Sequence, residues 1–308
     1  MSGRRPSESA LDRLLAGSPS LAPLAAMLAR AAASSAPVLV LGQPGTGRTA
    51  LARALHAGST RALRPLVEVD PAGIPTSLFE SELFGHAAGA FTGAVAAHVG
   101  RVAAAEGGTL LLDPIEELPL AAQPKLLRLL AESRYAPLGG RERQADVRFL
   151  AVGPGDLAER VARGRFRRDL FHRLEVLRVE LPPLVARRGD LPALAAAMLD
   201  DLGERFGRSG LRLAPEALAW MGRHAWPGNL RELRNVLERA VVMSEGEEIA
   251  PPPPAGLEGT APRPLVELEH AEIRRALAYT RGRQGEAAAL LGISRKALWA
   301  KRRRLGIP

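Results

Sequence analysis

The stretch VLVLGQPGTGRTALARALHAG, Val38 to Gly58, decides how this chain folds. Its first four residues are apolar and β-prone, a glycine-rich turn runs from Gly42 to Thr49, and helical spacing follows at once. A strand that passes into a helix through such a turn aims several backbone N–H groups at one place, where the helix N-terminus favours negative charge. The phosphate-binding pattern is G-x-x-x-x-G-K-S/T. Gly42, Gln43, Pro44, Gly45, Thr46 and Gly47 keep the loop, Thr49 and Ala50 follow it, and Arg48 stands where lysine is expected. Arginine keeps the positive charge as a planar fork on a longer stem, so its reach toward β- and γ-phosphates is not that of an ammonium. Thr49 offers a hydroxyl to a magnesium ion. A glycine-rich turn without a ligand is the competing reading; strand, glycines, threonine and helix together favour a nucleotide site.

Outward from this turn, apolar runs alternate with helical spacing. PLVEVD, GTLLLD, DVRFLAVG and LRVELP read as strands, and AQPKLLRLLAES as a helix. The alternation predicts an α/β fold, a parallel sheet flanked by helices, over residues 15–181 after an N-terminal tail, 1–14. Beyond about Pro182 the strands stop, and three helical patterns predict an all-helical subdomain over 182–248. Prolines and glycines then replace periodic hydrophobics, giving a linker over 249–264. Three short helical patterns fill 265–308 and predict an all-α domain.

Composition narrows the function. The 308 residues contain no cysteine, which excludes disulfides, thiolate metal sites and cysteine nucleophiles. No run of about eighteen apolar residues occurs, and the start is basic and polar, so neither a membrane span nor a secretory signal is expected and the location reads as cytoplasmic. The net charge is +9, and Glu267 to Pro308 holds ten Lys/Arg against four Asp/Glu, which is +6 of it. A basic block of this kind predicts attraction to a polyanion, nucleic acid above all, although a solvated tail has the same composition.

The second chemical landmark is GGTLLLDPIEELPL, Gly107 to Leu120. In nucleotide-hydrolysing folds a strand end of this type supplies an acid that holds magnesium, a role for Asp113. The next residue is usually the carboxylate that orients the attacking water, and here it is Pro114, which can neither take a proton nor position water. Glu116 and Glu117 lie further into the turn and are expected to face elsewhere.

Four more segments carry a resemblance: ESELFGH (Glu80 to His86), GAFTGA (Gly89 to Ala94), GRFRRDLFHRL (Gly164 to Leu174) and WPGNLREL (Trp226 to Leu233). Together they resemble the AAA+ domain of bacterial sigma-54-dependent transcription activators, the enhancer-binding proteins, and LLGISRKALWAKRRRLGI resembles their Fis-type helix-turn-helix. The resemblance runs from roughly Leu15 to the C-terminus. It implies ATP and Mg2+ as cofactors, and sigma-54 RNA polymerase as a partner of the loop Gly89, Ala90, Phe91, Thr92, Gly93 and Ala94. Glycines flank the Phe91 and Thr92 tip, which would let a mobile loop expose an apolar ring; taken alone, Phe91 would be expected in the core. The resemblance also implies that Arg167 and Arg173 are arginine fingers reaching a neighbouring subunit's nucleotide site, and that Arg231 is the nucleotide-contacting arginine of the helical subdomain. Alone, the first two would read as surface arginines and Arg231 as an ion-pair partner of Glu232 or Glu238. The chain departs from the family at Arg48 and Pro114, at Asp70 and Pro154 where asparagines are usual, and at Glu116 where glycine is usual. Residues that sense or hydrolyse a γ-phosphate are altered, whereas loop, finger and DNA residues are not.

In the tail, Ala287, Ala288 and Leu291 form an apolar face, Gly292 permits a turn and Ser294 caps the next helix. Arg295 and Lys296 then open the recognition helix, where bases and phosphates of the major groove come within reach. Lys301, Arg302, Arg303 and Arg304 form a phosphate-contacting cluster. The family's tails dimerise on upstream activator sites, which implies a homo-oligomer, from dimer to hexameric ring, or co-assembly with an active paralogue. About fifteen residues precede the AAA+ resemblance, so no receiver or ligand-sensing domain is expected. The expectation is a sigma-54-dependent regulator with ATP hydrolysis weak or absent; the alternative is an active ATPase that remodels the closed promoter complex.

Overall fold

Residues Val38 to Leu41 are buried on both faces, as only an interior strand can be, and they form the middle of a parallel sheet. The computed structural model describes residues 10–251, 273, 276–277, 279–280 and 282–305. Between Pro252 and Pro253 the chain divides into two units.

The first unit begins with α1 (Ala10–Ala16) and α2 (Ala25–Ala33), then β1 (Val38–Gly42), α3 (Arg48–Ala57), β2 (Leu66–Val69), α4 (Thr76–Phe84) and α5 (Arg101–Ala104). It continues with β3 (Thr109–Leu112), α6 (Gln123–Glu132), a hairpin of β4 (Arg134–Tyr135) and β5 (Arg143–Gln144), β6 (Arg148–Gly153), α7 (Leu157–Ala162), α8 (Arg168–Leu174) and β7 (Leu177–Leu181). The sheet order is β2-β3-β6-β1-β7, all parallel. Alternate residues divide the core between two faces. Leu39, Leu41, Leu110 and Leu112 pack with Phe79, Leu126 and Leu170 on one side; Val38, Val40, Leu111 and Leu150 pack with Leu28, Leu51 and Leu55 on the other. The edge strands β2 and β7 are only partly buried, while β1, β3 and β6 are wholly buried. Arg148 is a charge inside this core; its guanidinium donates to the carbonyls of Ala31 (2.6 Å) and Ala32 (3.2 Å), where the α2 dipole is negative. In register, Leu41 lies beside Gly153 and Leu112 beside Ala151, so the C-terminal ends of β1, β3 and β6 converge at one edge. Ligands of open α/β sheets bind at that edge.

The lid consists of α9 (Leu191–Phe206), β8 (Arg212–Leu213), α10 (Pro215–Met221), α11 (Asn229–Met243) and β9 (Glu248–Ile249). Leu199, Leu202, Trp226, Leu233 and Leu237 form its core. Two sequence expectations are corrected here. The subdomain is not all-helical, because β8 and β9 pair in parallel, Arg212 with Glu248 and Leu213 with Ile249. Nor does the linker begin at residue 249: Ile249 is buried in the lid core, and Trp220 Nε1–H donates to the Pro251 carbonyl at 3.0 Å. The remaining linker residues, 252–264, lie outside the described residues, as do residues 1–9 of the N-terminal tail. Among the described residues no helix is long and apolar enough to cross a membrane.

In the second unit α12 (Gln284–Leu290) and α13 (Arg295–Leu305) follow each other through a turn at Gly292. Ala287, Ala288 and Leu298 are buried with Ile273 and Ala276. Ser294 Oγ accepts from the Ala297 N–H at 3.1 Å, the expected N-cap. Most of the helical pattern read before Thr280 lies outside the described residues.

Lid and sheet meet at Asn229, a buried residue at a positive φ of 52° that asparagine tolerates. Its Oδ1 accepts from the Leu184 N–H at 2.7 Å, and its Nδ2 donates to the Pro44 carbonyl at 3.0 Å. Asn229→Ala leaves the buried Leu184 N–H without its partner and removes the bond to the Pro44 carbonyl, and should lower the unfolding free energy by about 1–3 kcal/mol. Urea titration of the full chain measures this, and a loss below about 1 kcal/mol would contradict the assigned role.

Candidate functional site

The phosphate loop is held from below by the sheet and from above by the lid. Gly45, at φ 80°, lies so close to the lid that a Cβ there would come within 2.3 Å of the Gly228 carbonyl. The Leu230 N–H donates to the Gly45 carbonyl at 2.9 Å. Within the loop, the Thr46 hydroxyl donates to the Gln43 carbonyl at 2.8 Å. The loop ends at Gly47, whose positive φ of 97° leads into α3.

Arg48 turns back onto the sheet. Its Nη1 donates to the carbonyls of Gly42 (2.8 Å) and Gly153, the last residues of β1 and β6. Burial lowers the hold of this guanidinium on its proton; the charges of Glu116 and then Asp113 oppose that, and Arg231 adds to it. Thr49 and Asp113, the two residues assigned to magnesium, do come together, with Thr49 Oγ1 donating to Asp113 Oδ2 at 2.5 Å. Two hard oxygen groups beside a phosphate turn fit a nucleotide-bound magnesium ion.

The Asp113–Pro114 peptide bond is cis, and Pro114 caps a short turn, Ile115–Glu117. Ile115 is buried beneath the end of β6, where a Cβ on Gly153 would lie 2.8 Å from its Cγ2. Glu116 is half-buried, its Oε2 has no hydrogen-bond partner among the described residues, and its charge is among those acting on Arg48. Burial pushes its carboxyl up, against hydrogen bonding to its own backbone and the charges of Arg48 and Arg160. Asp70, by contrast, is exposed, its carboxylate accepting from the N–H groups of Ala72 (3.0 Å) and Gly73 (3.3 Å).

Two clefts adjoin the loop. One, of about 650 Å³, is lined by Gly42, Gln43, Pro44, Pro154, Gly155, Glu180 and Leu181. The other, of about 250 Å³, is apolar and lies between sheet and lid, with Leu14, Leu21, Ala50, Leu51, Leu181, Leu194, Met198 and Leu230 in its walls. The second was missed in the sequence, where its walls are scattered; only the apolar residues flanking the loop hint at it. Its shape and chemistry suit the flat, apolar face of a base. Arg231 packs against Gly45, and neither suspected ion-pair partner holds it: Glu232 binds His224 and the Gly228 N–H, and Glu238 binds Arg205.

The remaining candidates lie away from these clefts. Arg167 is exposed and makes a two-pronged pair with Asp169 at 3.0 and 2.7 Å, lining a surface groove with Arg168 and His172. Arg173 donates to the carbonyls of Leu130 and Ala131 at the end of α6. In the Gly89–Ala94 loop, the Gly89 N–H donates to the Ala94 carbonyl at 2.7 Å, and Thr92 is exposed at the tip. Phe91 is 42% exposed rather than in the core, its ring edge-on to His86 at 5.0 Å. His86 and His98 exchange backbone hydrogen bonds of 3.1 and 2.9 Å that close the base of this loop. In the second unit, Ser294, Arg295 and Lys296 are exposed at the start of α13, Lys301 and Arg302 are partly exposed, and Arg303 lies over the exposed Trp299 ring at 5.6 Å.

Comparison with known proteins agrees along the chain. Residues 14–180 match the sigma-54 interaction domain, 186–252 the AAA+ ATPase lid domain, and 264–305 the bacterial regulatory proteins of the Fis family. The transcriptional regulatory protein ZraR of Klebsiella oxytoca is 44% identical over 300 residues, covering 94% of this chain and 68% of that protein. The regulatory protein AtoC of Escherichia coli K12 is 42% identical over 312 residues, covering 96% and 68%. Crystallised NtrX from Brucella abortus in complex with ATP superposes with a TM-score of 0.69 at 31% identity, covering 99% of this chain and 70% of NtrX. With a sigma-54 interaction domain, an AAA+ lid and a Fis-type helix-turn-helix in order, the chain belongs to the sigma-54-dependent transcriptional activators.

Proposed function

We propose that this regulator binds upstream DNA through α13, engages sigma-54 RNA polymerase through the Gly89–Ala94 loop, and holds a nucleotide it hydrolyses poorly or not at all. One observation carries the reading: at the strand end beside the Thr49–Asp113 pair, the position for a water-orienting acid is Pro114. NtrX, a relative of matching fold, is crystallised with ADP and with ATP. Here the backbone N–H groups from Gly45 to Ala50 would hold the phosphates, the apolar cleft the base, Thr49 and Asp113 a magnesium ion, and Arg231 would report occupancy to the lid. The bound magnesium would neutralise phosphate charge.

Assembly completes the proposal. Arg167 and Arg173 line neither cleft beside the phosphate loop, which supports a role across an interface, in a ring of identical chains or a mixed ring with an active paralogue. Arg167 would have to leave Asp169 to act across such an interface. A second reading, a fully active ATPase that remodels the closed promoter complex, draws on Glu116, a carboxylate that remains beside the phosphate loop.

Steady-state ATP turnover of the purified chain is expected near background, on the order of 10³–10⁵ below a competent site. Restoring Pro114→Glu, Arg48→Lys and Pro154→Asn together should raise it; robust wild-type turnover that disappears on Arg167→Ala would overturn the reading. For the DNA-binding unit, Lys301→Ala should weaken binding to all sequences alike and make the log–log salt slope shallower by about 0.9, measured by fluorescence anisotropy across a salt series. An unchanged slope would remove Lys301 from the phosphate contacts.

A further inference from the structure

We infer that Trp299 is a base-reading residue of the DNA-binding unit, an apolar plate on α13 that meets the 5-methyl group of a thymine in the major groove. This rests on the proposed DNA contact of α13 and names the side chain that tells one base pair from another there. Leu298 is buried with Ala287, Ala288 and Ile273, which fixes the face of α13 that turns inward. Residues 295, 299 and 303 are spaced by four, so they form one row along the helix. Arg295, Trp299 and Arg303 are all exposed, Trp299 over 55% of its surface, and Lys296 stands beside the row at the helix start. The Arg303 guanidinium lies over the Trp299 ring at 5.6 Å, a contact that holds the ring along the row.

A large aromatic ring left in water gains by being covered, and its surroundings decide by what. From Arg295 to Leu305, α13 carries six Lys or Arg and no Asp or Glu. A second copy laid against this row would bring like charges within a Debye length of each other, which opposes that contact. A duplex answers both features at once. Its phosphates neutralise the cations, and its major groove offers one apolar group, the methyl of thymine, to an apolar side chain. Trp299 is the fifth residue of α13, near the end of a recognition helix that reaches base edges. The other two tryptophans are committed within the lid, Trp220 to the Pro251 carbonyl and Trp226 to the Met221 carbonyl. Among the described residues none accepts from the Trp299 indole N–H, so the ring edge is also free to meet the groove.

The test begins with selection of duplexes from a random-sequence library by the full chain. Fluorescence anisotropy then compares the enriched duplex with a mixed-sequence duplex of equal length, across a salt series. Replacing one of the thymines in the enriched duplex by deoxyuridine removes only the methyl group and should weaken wild-type binding about fourfold. Trp299→Ala should lower the ratio of enriched-duplex to mixed-duplex affinity at least about fivefold and make the same deoxyuridine replacement silent. Trp299→Leu, which keeps an apolar side chain, should recover part of that ratio, and thermal melting checks the fold of both variants. Binding insensitive to every thymine methyl, or a sensitivity that persists in Trp299→Ala, would overturn the inference. So would an equal loss on both duplexes with a shallower salt slope, which would make Trp299 a support for Arg303 on the phosphates. A wild type that binds duplex yet enriches no sequence overturns the base-reading role alone. Absence of any duplex binding would instead overturn the proposed DNA contact of α13 itself.

Discussion

The contact on which the rest depends is the one between the phosphate loop and the first turn of α11. Asn229 bonds Leu184 on one side and Pro44 on the other, and Gly45 lies against Gly228 with no room for a side chain. Loop and lid are tied directly by the Asn229 Nδ2–H bond to the Pro44 carbonyl and the Leu230 N–H bond to the Gly45 carbonyl, so a displacement of one is felt by the other. The apolar cleft between sheet and lid lies beside this junction, with Thr46, Gly47 and Leu230 in its walls. Arg231, two residues beyond Asn229 on the same helix, is placed beside the loop by the same contact.

Against that junction, the altered residues make one pattern. Arg48, Pro114 and Pro154 lie where β1, β3 and β6 end; Arg48 donates to the last carbonyls of β1 and β6, and the two prolines have no backbone N–H to offer. The Thr49–Asp113 pair, the loop glycines and the apolar cleft beside them are in place. Phe91 stays at the surface, its loop closed by backbone bonds between His86 and His98. The proposal of a regulator that keeps its partner-facing surfaces while acting poorly on a γ-phosphate draws on this distribution.

The parts legible in the sequence were those set by short-range pattern. Strands β1, β3 and β6 read as continuous apolar runs because they are buried on both faces, and the glycine turn fixed the position of the phosphate loop. The capped helix start at Ser294 was legible for the same local reason. The pairing of β8 with β9 was not, since each is two residues long and the partners lie far apart in sequence. The base cleft was illegible because its walls come from α1, the loop, α9 and α11, with no common motif.

The central claim, that the γ-phosphate chemistry is lost while the site persists, is tested most directly by a single-turnover experiment with the full chain in excess over radiolabelled ATP and Mg2+, on DNA and with sigma-54 RNA polymerase present. Rapid quenching reads the chemical step apart from product release. The account predicts that no burst of ADP forms and that unhydrolysed ATP is recovered from the protein. A burst consuming the bound nucleotide within seconds would contradict it.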